Sequence, residues 1–157
     1  MKKIMSLALV FIFSISSFAQ TTNEDVWIGK YAHENDVGKE YFMLEIFRDS
    51  DKIKGRYKET VSAQTSNKFT VNVAITGNIA SFYLAECLPL NNAEKDDGGR
   101  NDCGGEGGYQ KGDLILKLKR VVKGNKVTFN TIGGKLTEAG FAGEIDFVKT
   151  KKFYYSF

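Results

Sequence analysis

Phe69-Thr-Val-Asn-Val-Ala-Ile75, followed by Thr76-Gly-Asn78 and Ile79, decides the fold class. Side chains of an extended chain alternate, so Phe69, Val71, Val73 and Ile75 share one face while Thr70, Asn72 and Ala74 share the other. One face is apolar and needs a core; the other suits solvent. Gly77-Asn78 is a short hairpin signal that returns the chain antiparallel into Ile79 to Leu88.

The same period recurs on both sides of this hairpin. Upstream, Val26-Trp27-Ile28-Gly29-Lys30-Tyr31 puts Trp27, Gly29 and Tyr31 on one side. Then come Tyr41 to Phe47, a turn at Asp49-Ser-Asp51, and Ile53-Lys-Gly-Arg-Tyr57 with Ile53, Gly55 and Tyr57 inward. Downstream, Leu114, Leu116 and Leu118 oppose Lys117 and Lys119, Gly124-Asn125 turns the chain into Val127 to Thr131, and Phe141 to Val148 is the eighth strand-like run. The tail Phe153 to Phe157 is expected to pair with or cover an edge, and Leu136 to Phe141 makes one helical turn at most. Eight short segments with brief connections predict an all-β domain, a single antiparallel up-and-down β-barrel, with a β-sandwich as the alternative. Closure removes exposed edges, and eight strands leave an interior that side chains fill or that holds one small ligand.

The longest excursion from this pattern runs from Cys87 through Cys103 to Tyr109 and holds both cysteines and the only proline. Cysteines this far apart close a ring of roughly 15 residues, stabilising by about 3 kcal/mol if oxidised. Compartment decides oxidation. Met1-Lys-Lys3, the apolar run Leu7 to Phe13 and Ser17-Phe-Ala19 have the layout of a signal peptide over residues 1–19. Taking 19 residues from 157 leaves a single domain of 138, residues 20–157, exported to the periplasm or beyond. The mature chain carries no run long enough to be an integral membrane span. In an oxidising space Cys87 and Cys103 are expected to form a disulfide bond, and a lone pair of thiols with one histidine makes no zinc site.

Charge names no partner. Removing Lys2 and Lys3 lowers the formal net charge from +3 to about +1, and lysines and acids are interspersed, against the clustered basic face of a nucleic-acid binder. Catalysis finds little support. His33 is the only histidine and sits in a polar stretch, read as surface, with no nucleophile identified beside it. Glu45 and Glu86 are the candidate acids of a small carboxylate-dependent hydrolase, the alternative function class, although alternation turns them toward solvent. Asp96, Asp97, Asn101, Asp102 and Glu106 could approach one another, but they do not match the twelve-residue calcium loop, so no metal or cofactor is expected. The glycine pairs between Gly98 and Gly108 lack the following helix that a phosphate cradle needs.

Trp27-Ile-Gly-Lys-Tyr31, Ile53-Lys-Gly-Arg-Tyr57 and the meander of strands resemble the small barrels of the lipocalin and avidin type. Trp27-x-Gly-x-Tyr31, a cysteine ending a middle strand and then Tyr109-Gln-Lys-Gly-Asp-Leu-Ile-Leu116 are also similar to small secreted bacterial domains. The resemblance implies a packing role for Trp27, with Gly29 and Tyr31 beside it, at the barrel base. It does not carry over biotin binding, because the avidin pocket is a box of several tryptophans and this chain has one.

The expected function is therefore that of an exported non-enzymatic binding or interaction module, either ligand-binding or an inhibitor of a secreted hydrolase. The candidate binding loop presents Leu90, Asp96, Asp97, Arg100, Asp102 and Tyr109 to a protein, a glycan or a small apolar ligand.

Overall fold

The computed structural model describes residues 24–34, 40–61, 64–96, 98, 103, 108–138, 146–153 and 157. The expected signal peptide, Asp97, Arg100, Asn101, Asp102 and Glu106 lie outside the described residues. Eight strands follow in chain order: β1 Gly29–Glu34, β2 Glu40–Asp49, β3 Lys52–Val61, β4 Gln64–Thr76, β5 Ile79–Cys87, β6 Leu114–Lys123, β7 Lys126–Gly133 and β8 Asp146–Thr150. Each pairs antiparallel with the next, and β8 returns to β1 through Ala32–Val148, Tyr31–Lys149 and Lys30–Thr150, closing the barrel. That pairing excludes the sandwich.

Alternation works as the sequence suggests. Phe69 and Val71 are buried inside, with Val73 and Ile75 packed against the core at its end. Gly55 stands opposite Ile46 and Val71, where a Cβ would press on the Glu45 carbonyl and the Val71 methyl, so only glycine lets the strands approach there. The period breaks at β6. A bulge pairs Tyr83 with Leu114 and Phe82 with Leu116, leaving Ile115 as the extra residue. Ile115 and Leu116 are therefore both buried, and Leu114, expected inward, is only half-buried.

The two ends of the barrel differ. At one, tight turns join β2 to β3, β4 to β5 and β6 to β7, and the chain enters through a 3-10 turn, Asp25–Trp27. Trp27 thus belongs to this turn, held by Trp27 N–H donating to Glu24 O, and not to the strand that carries Gly29 and Tyr31. Its ring meets Phe129 edge-on at 5.2 Å, Tyr31 meets the same ring at 4.7 Å, and the Tyr31 hydroxyl donates to Trp27 O at 2.6 Å. Burial pushes the Tyr31 hydroxyl far above its ordinary pKa, with Arg120 opposing weakly, so it remains a donor. Trp27 and Tyr31 plug this end.

The other end carries the long connections β5 to β6 and β7 to β8. Two short helices lie in them, α1 Asn92–Asp96 and α2 Lys135–Glu138. The second is the single turn expected there; the first was not legible. Gly134 precedes α2 with φ +109°, and a Cβ would overlap the Ile115 carbonyl, which is how Leu136 reaches full burial against the start of β6. The eighth strand is described over Asp146–Thr150 and ends two residues past the expected run, because its partner β1 extends the pairing to Thr150; residues 141–145 of that run lie outside the described residues. In the tail, Phe153 and Phe157 pack edge-on at 5.3 Å, beneath Lys30 and Arg56 of the outer wall. Among the described residues no helix is long and apolar enough to cross a membrane.

Candidate functional site: the long-loop end

The β5 to β6 connection leaves the rim, descends over the outer wall of β3 and β4, and returns. Its first leg is fixed by Leu88 N–H, which donates to Lys68 O at 2.9 Å. A disulfide bond then joins Cys87 to Cys103, whose Cα atoms are 5.7 Å apart, and both sulfurs pack against the core. The last leg is pinned by Tyr109, edge-on to Phe69 at 5.8 Å. Asp113 closes a turn by accepting from Gln110 N–H at 2.7 Å and from Lys135 Nζ of α2 at 2.6 Å. The Lys135 ammonium holds the Asp113 carboxyl below its usual range, with the Gln110 N–H adding to the effect against a small opposing burial.

The strongest anchor lies in the middle. Glu94 on α1 is 7% exposed, and its Oε1 is 2.5 Å from Lys58 Nζ while Oε2 is 3.2 Å from Lys68 Nζ. The same carboxylate accepts from Asn91 N–H at 2.8 Å, and Asn91 Oδ1 accepts from Glu94 N–H at 2.9 Å. This is a reciprocal capping box, which lets a helix of five residues exist at all. Burial alone would raise the Glu94 pKa, but Lys58, the Asn91 N–H and Lys68 together outweigh it and hold the carboxyl below the usual range. Glu94 thus clamps the described part of the excursion to the wall.

Inside the rim the wall turns polar. Continuing the alternation of β3 past Tyr57 brings Glu59 inward, and continuing β4 back from Phe69 brings Asn67 opposite it. Glu59 Oε2 accepts from Asn67 Nδ2 at 3.2 Å and more weakly from the Tyr57 hydroxyl at 3.5 Å. Burial first, and then the negative charge of Glu59, push the Tyr57 hydroxyl well above its ordinary pKa. Sequence reading missed Glu59 and Asn67, although the two-residue period that placed Tyr57 and Phe69 would have found them. His33 is not the loop residue expected: it lies on β1, half-buried between Phe42 and Phe147, with Nδ1 3.0 Å from Asp146 O.

Of the candidate loop residues, Leu90 is half-buried, Asp96 is exposed at the end of α1, and Tyr109 is half-buried against Phe69. Glu45 and Glu86 are not brought together. They lie in one row, Glu45–Arg56–Thr70–Glu86, on the outer wall. Three strand spacings, ~14 Å, separate them, beyond the ~5–9.5 Å of a glycosidase pair. Glu45 is moreover ion-paired with Arg56. Among the described residues no three His, Cys, Asp or Glu side chains gather as a metal group. No protein-family model, curated protein or solved structure matches the chain.

Proposed function

We propose that the protein is an exported, non-enzymatic binding module that engages a protein partner with the clamped loop at its long-loop end. The observation that carries this reading is Glu94, which clamps the loop onto Lys58 and Lys68 from within the ring closed by Cys87 and Cys103, while Tyr109 pins the return leg against Phe69. A loop ordered before binding loses little conformational freedom when it binds, so its contacts count almost in full toward affinity. Leu90, Lys95 and Asp96 are the side chains that this clamp displays.

The barrel interior supports recognition outside over a ligand within. Trp27, Tyr31, Phe42, Tyr57, Phe69, Phe82, Phe129 and Phe147 are all fully buried, with Tyr57 stacked on Phe69 at 4.8 Å. The closed barrel agrees with the resemblance to lipocalin and avidin-type domains, and the disulfide bond is compatible with export. An inhibitor of a secreted hydrolase is one form this module takes, since a stiff loop on a small barrel can fill an active-site cleft.

The test is cross-linking of the intact protein in its native compartment, followed by binding measurements on the recovered partner. Leu90→Ala with Asp96→Ala is expected to weaken that complex at least about tenfold, the effect of truncating an interface anchor, with the melting temperature unchanged. Unweakened binding by this double variant would remove the loop as the recognition surface.

A further inference from the structure

Opposed lysines occur twice in the barrel registers: Lys58 faces Lys68, and Lys123 faces Lys126. Like charges directly across a strand pair repel. The first pair is bridged by the Glu94 carboxylate. The second pair is exposed on the outer wall of β6 and β7, and among the described residues neither lysine lies within ion-pair distance of an acid. Lys119, two rows away on the same wall, is equally without one among the described residues. On the opposite side of the barrel Arg48, Lys54 and Arg56 each have a carboxylate.

Beside the second lysine pair is a groove of about 320 Å³ lined by Val121, Lys123, Lys126, Thr128, Asn130 and Asp146. It exists because β7 pairs with β8 only at Phe129–Phe147 and Asn130–Asp146, after which β8 follows β1 and leaves Lys126 to Thr128 unpaired on that side. Its volume is at the lower limit of ordinary ligand sites. Its polar groups are held in a relay: Thr128 Oγ1 donates to Asn130 Oδ1 at 3.0 Å, and Asn130 Nδ2 donates to Asp146 Oδ1 at 2.7 Å. The second carboxylate oxygen of Asp146 and the lone pairs of Thr128 remain as acceptors toward the groove.

We infer that this groove binds an acidic sugar chain, with Lys123 and Lys126 on its carboxylate or sulfate group and Thr128, Asn130 and Asp146 on its hydroxyls. Each part of the lining has a use in that ligand. Two ammonium groups side by side suit an anion that supplies the missing counter-charge. A carboxylate beside them would repel a simple polyanion, but it accepts from sugar hydroxyls, which both donate and accept. Val121 offers an apolar floor for the C–H face of a ring. Lys119 and Lys117, two and four residues before Val121, continue the cationic row along β6 for about 13 Å, which a linear chain can follow. The proposal is independent of the loop at the long-loop end, because the lysine pair flanks a tight turn at the other end.

The test titrates the isolated protein with three oligosaccharides by calorimetry at about 0.05 M salt, where screening is weak. Oligogalacturonate supplies carboxylates, heparin fragments supply sulfates, and dextran is neutral. One or both acidic chains should bind, the tighter identifying the acid group, and dextran should not. Lys123→Gln with Lys126→Gln should weaken binding roughly tenfold or more, the loss of at least one charge-assisted hydrogen bond. The charge-matched pair Lys52→Gln with Lys111→Gln should leave it within about twofold, and Asp146→Asn should weaken an acidic oligosaccharide while strengthening inorganic sulfate. Failure of both acidic chains to bind, equal binding of dextran, or an equal loss from the control pair overturns the inference.

Discussion

Lys58 and Lys68 are register partners on β3 and β4, both less than a tenth exposed, and the carboxylate between them comes from another part of the chain. Glu94 is 36 residues from one and 26 from the other. Both lysines bury their ammonium groups against Glu94, and α1 is held to the wall by the lysines that receive it.

Replacing Glu94 by glutamine removes the carboxylate that two close ammonium groups share under the loop. Breaking a buried pair in this way costs about 3 kcal/mol, and urea unfolding should show a loss of that order. Lys58→Met, Lys68→Met and Glu94→Leu made together should recover most of it, since an apolar triad needs no charge balance. A single variant as stable as the parent would show that the clamp contributes nothing.

Acid should release the same clamp. The folded Glu94 pKa lies below its unfolded value, so its contribution is complete above the ordinary glutamate range, near pH 4.3, and is lost as pH falls through the lower folded value. Protection of amides 91 to 96 from exchange, relative to their intrinsic rates at each pH, should therefore fall as pH drops below the ordinary glutamate range, ahead of the barrel strands. The Glu94→Gln variant should show no such step.

Reduction of Cys87–Cys103, or substitution of both by alanine, removes a cross-link spanning a sequence separation of 16. The expected loss is about 3 kcal/mol, with the β-sheet circular dichroism retained because closure of the barrel does not pass through the sulfurs. Combining this change with Glu94→Gln should cost less than the sum, since either change alone already loosens the same loop.

Gly134→Ala tests how the long-loop end is closed. The new Cβ meets the Ile115 carbonyl and the positive φ adds strain, so stability should fall by about 2 kcal/mol or more. The same change at Gly77, where φ is also positive but no atom lies near the added Cβ, should cost less, and equal losses would place the cause in φ alone.

What the sequence determined by itself is the face of each residue over most of the barrel, because strand alternation is a local property that needs no partner. Phe69 to Ile75 declared a core side, the hairpin at Gly77-Asn78 declared antiparallel order, and the run of eight segments made closure the natural outcome. The tertiary structure alone decided what depends on register between distant strands. It displaced Leu114 in favour of Ile115 through a bulge, moved His33 from a polar loop to the half-buried wall, and joined Glu94 to lysines on two other strands. It also turned lysines that look interspersed along the chain into an uncompensated row on β6 and β7, since net charge is a sum over residues while a binding face is set by which of them the sheet places side by side.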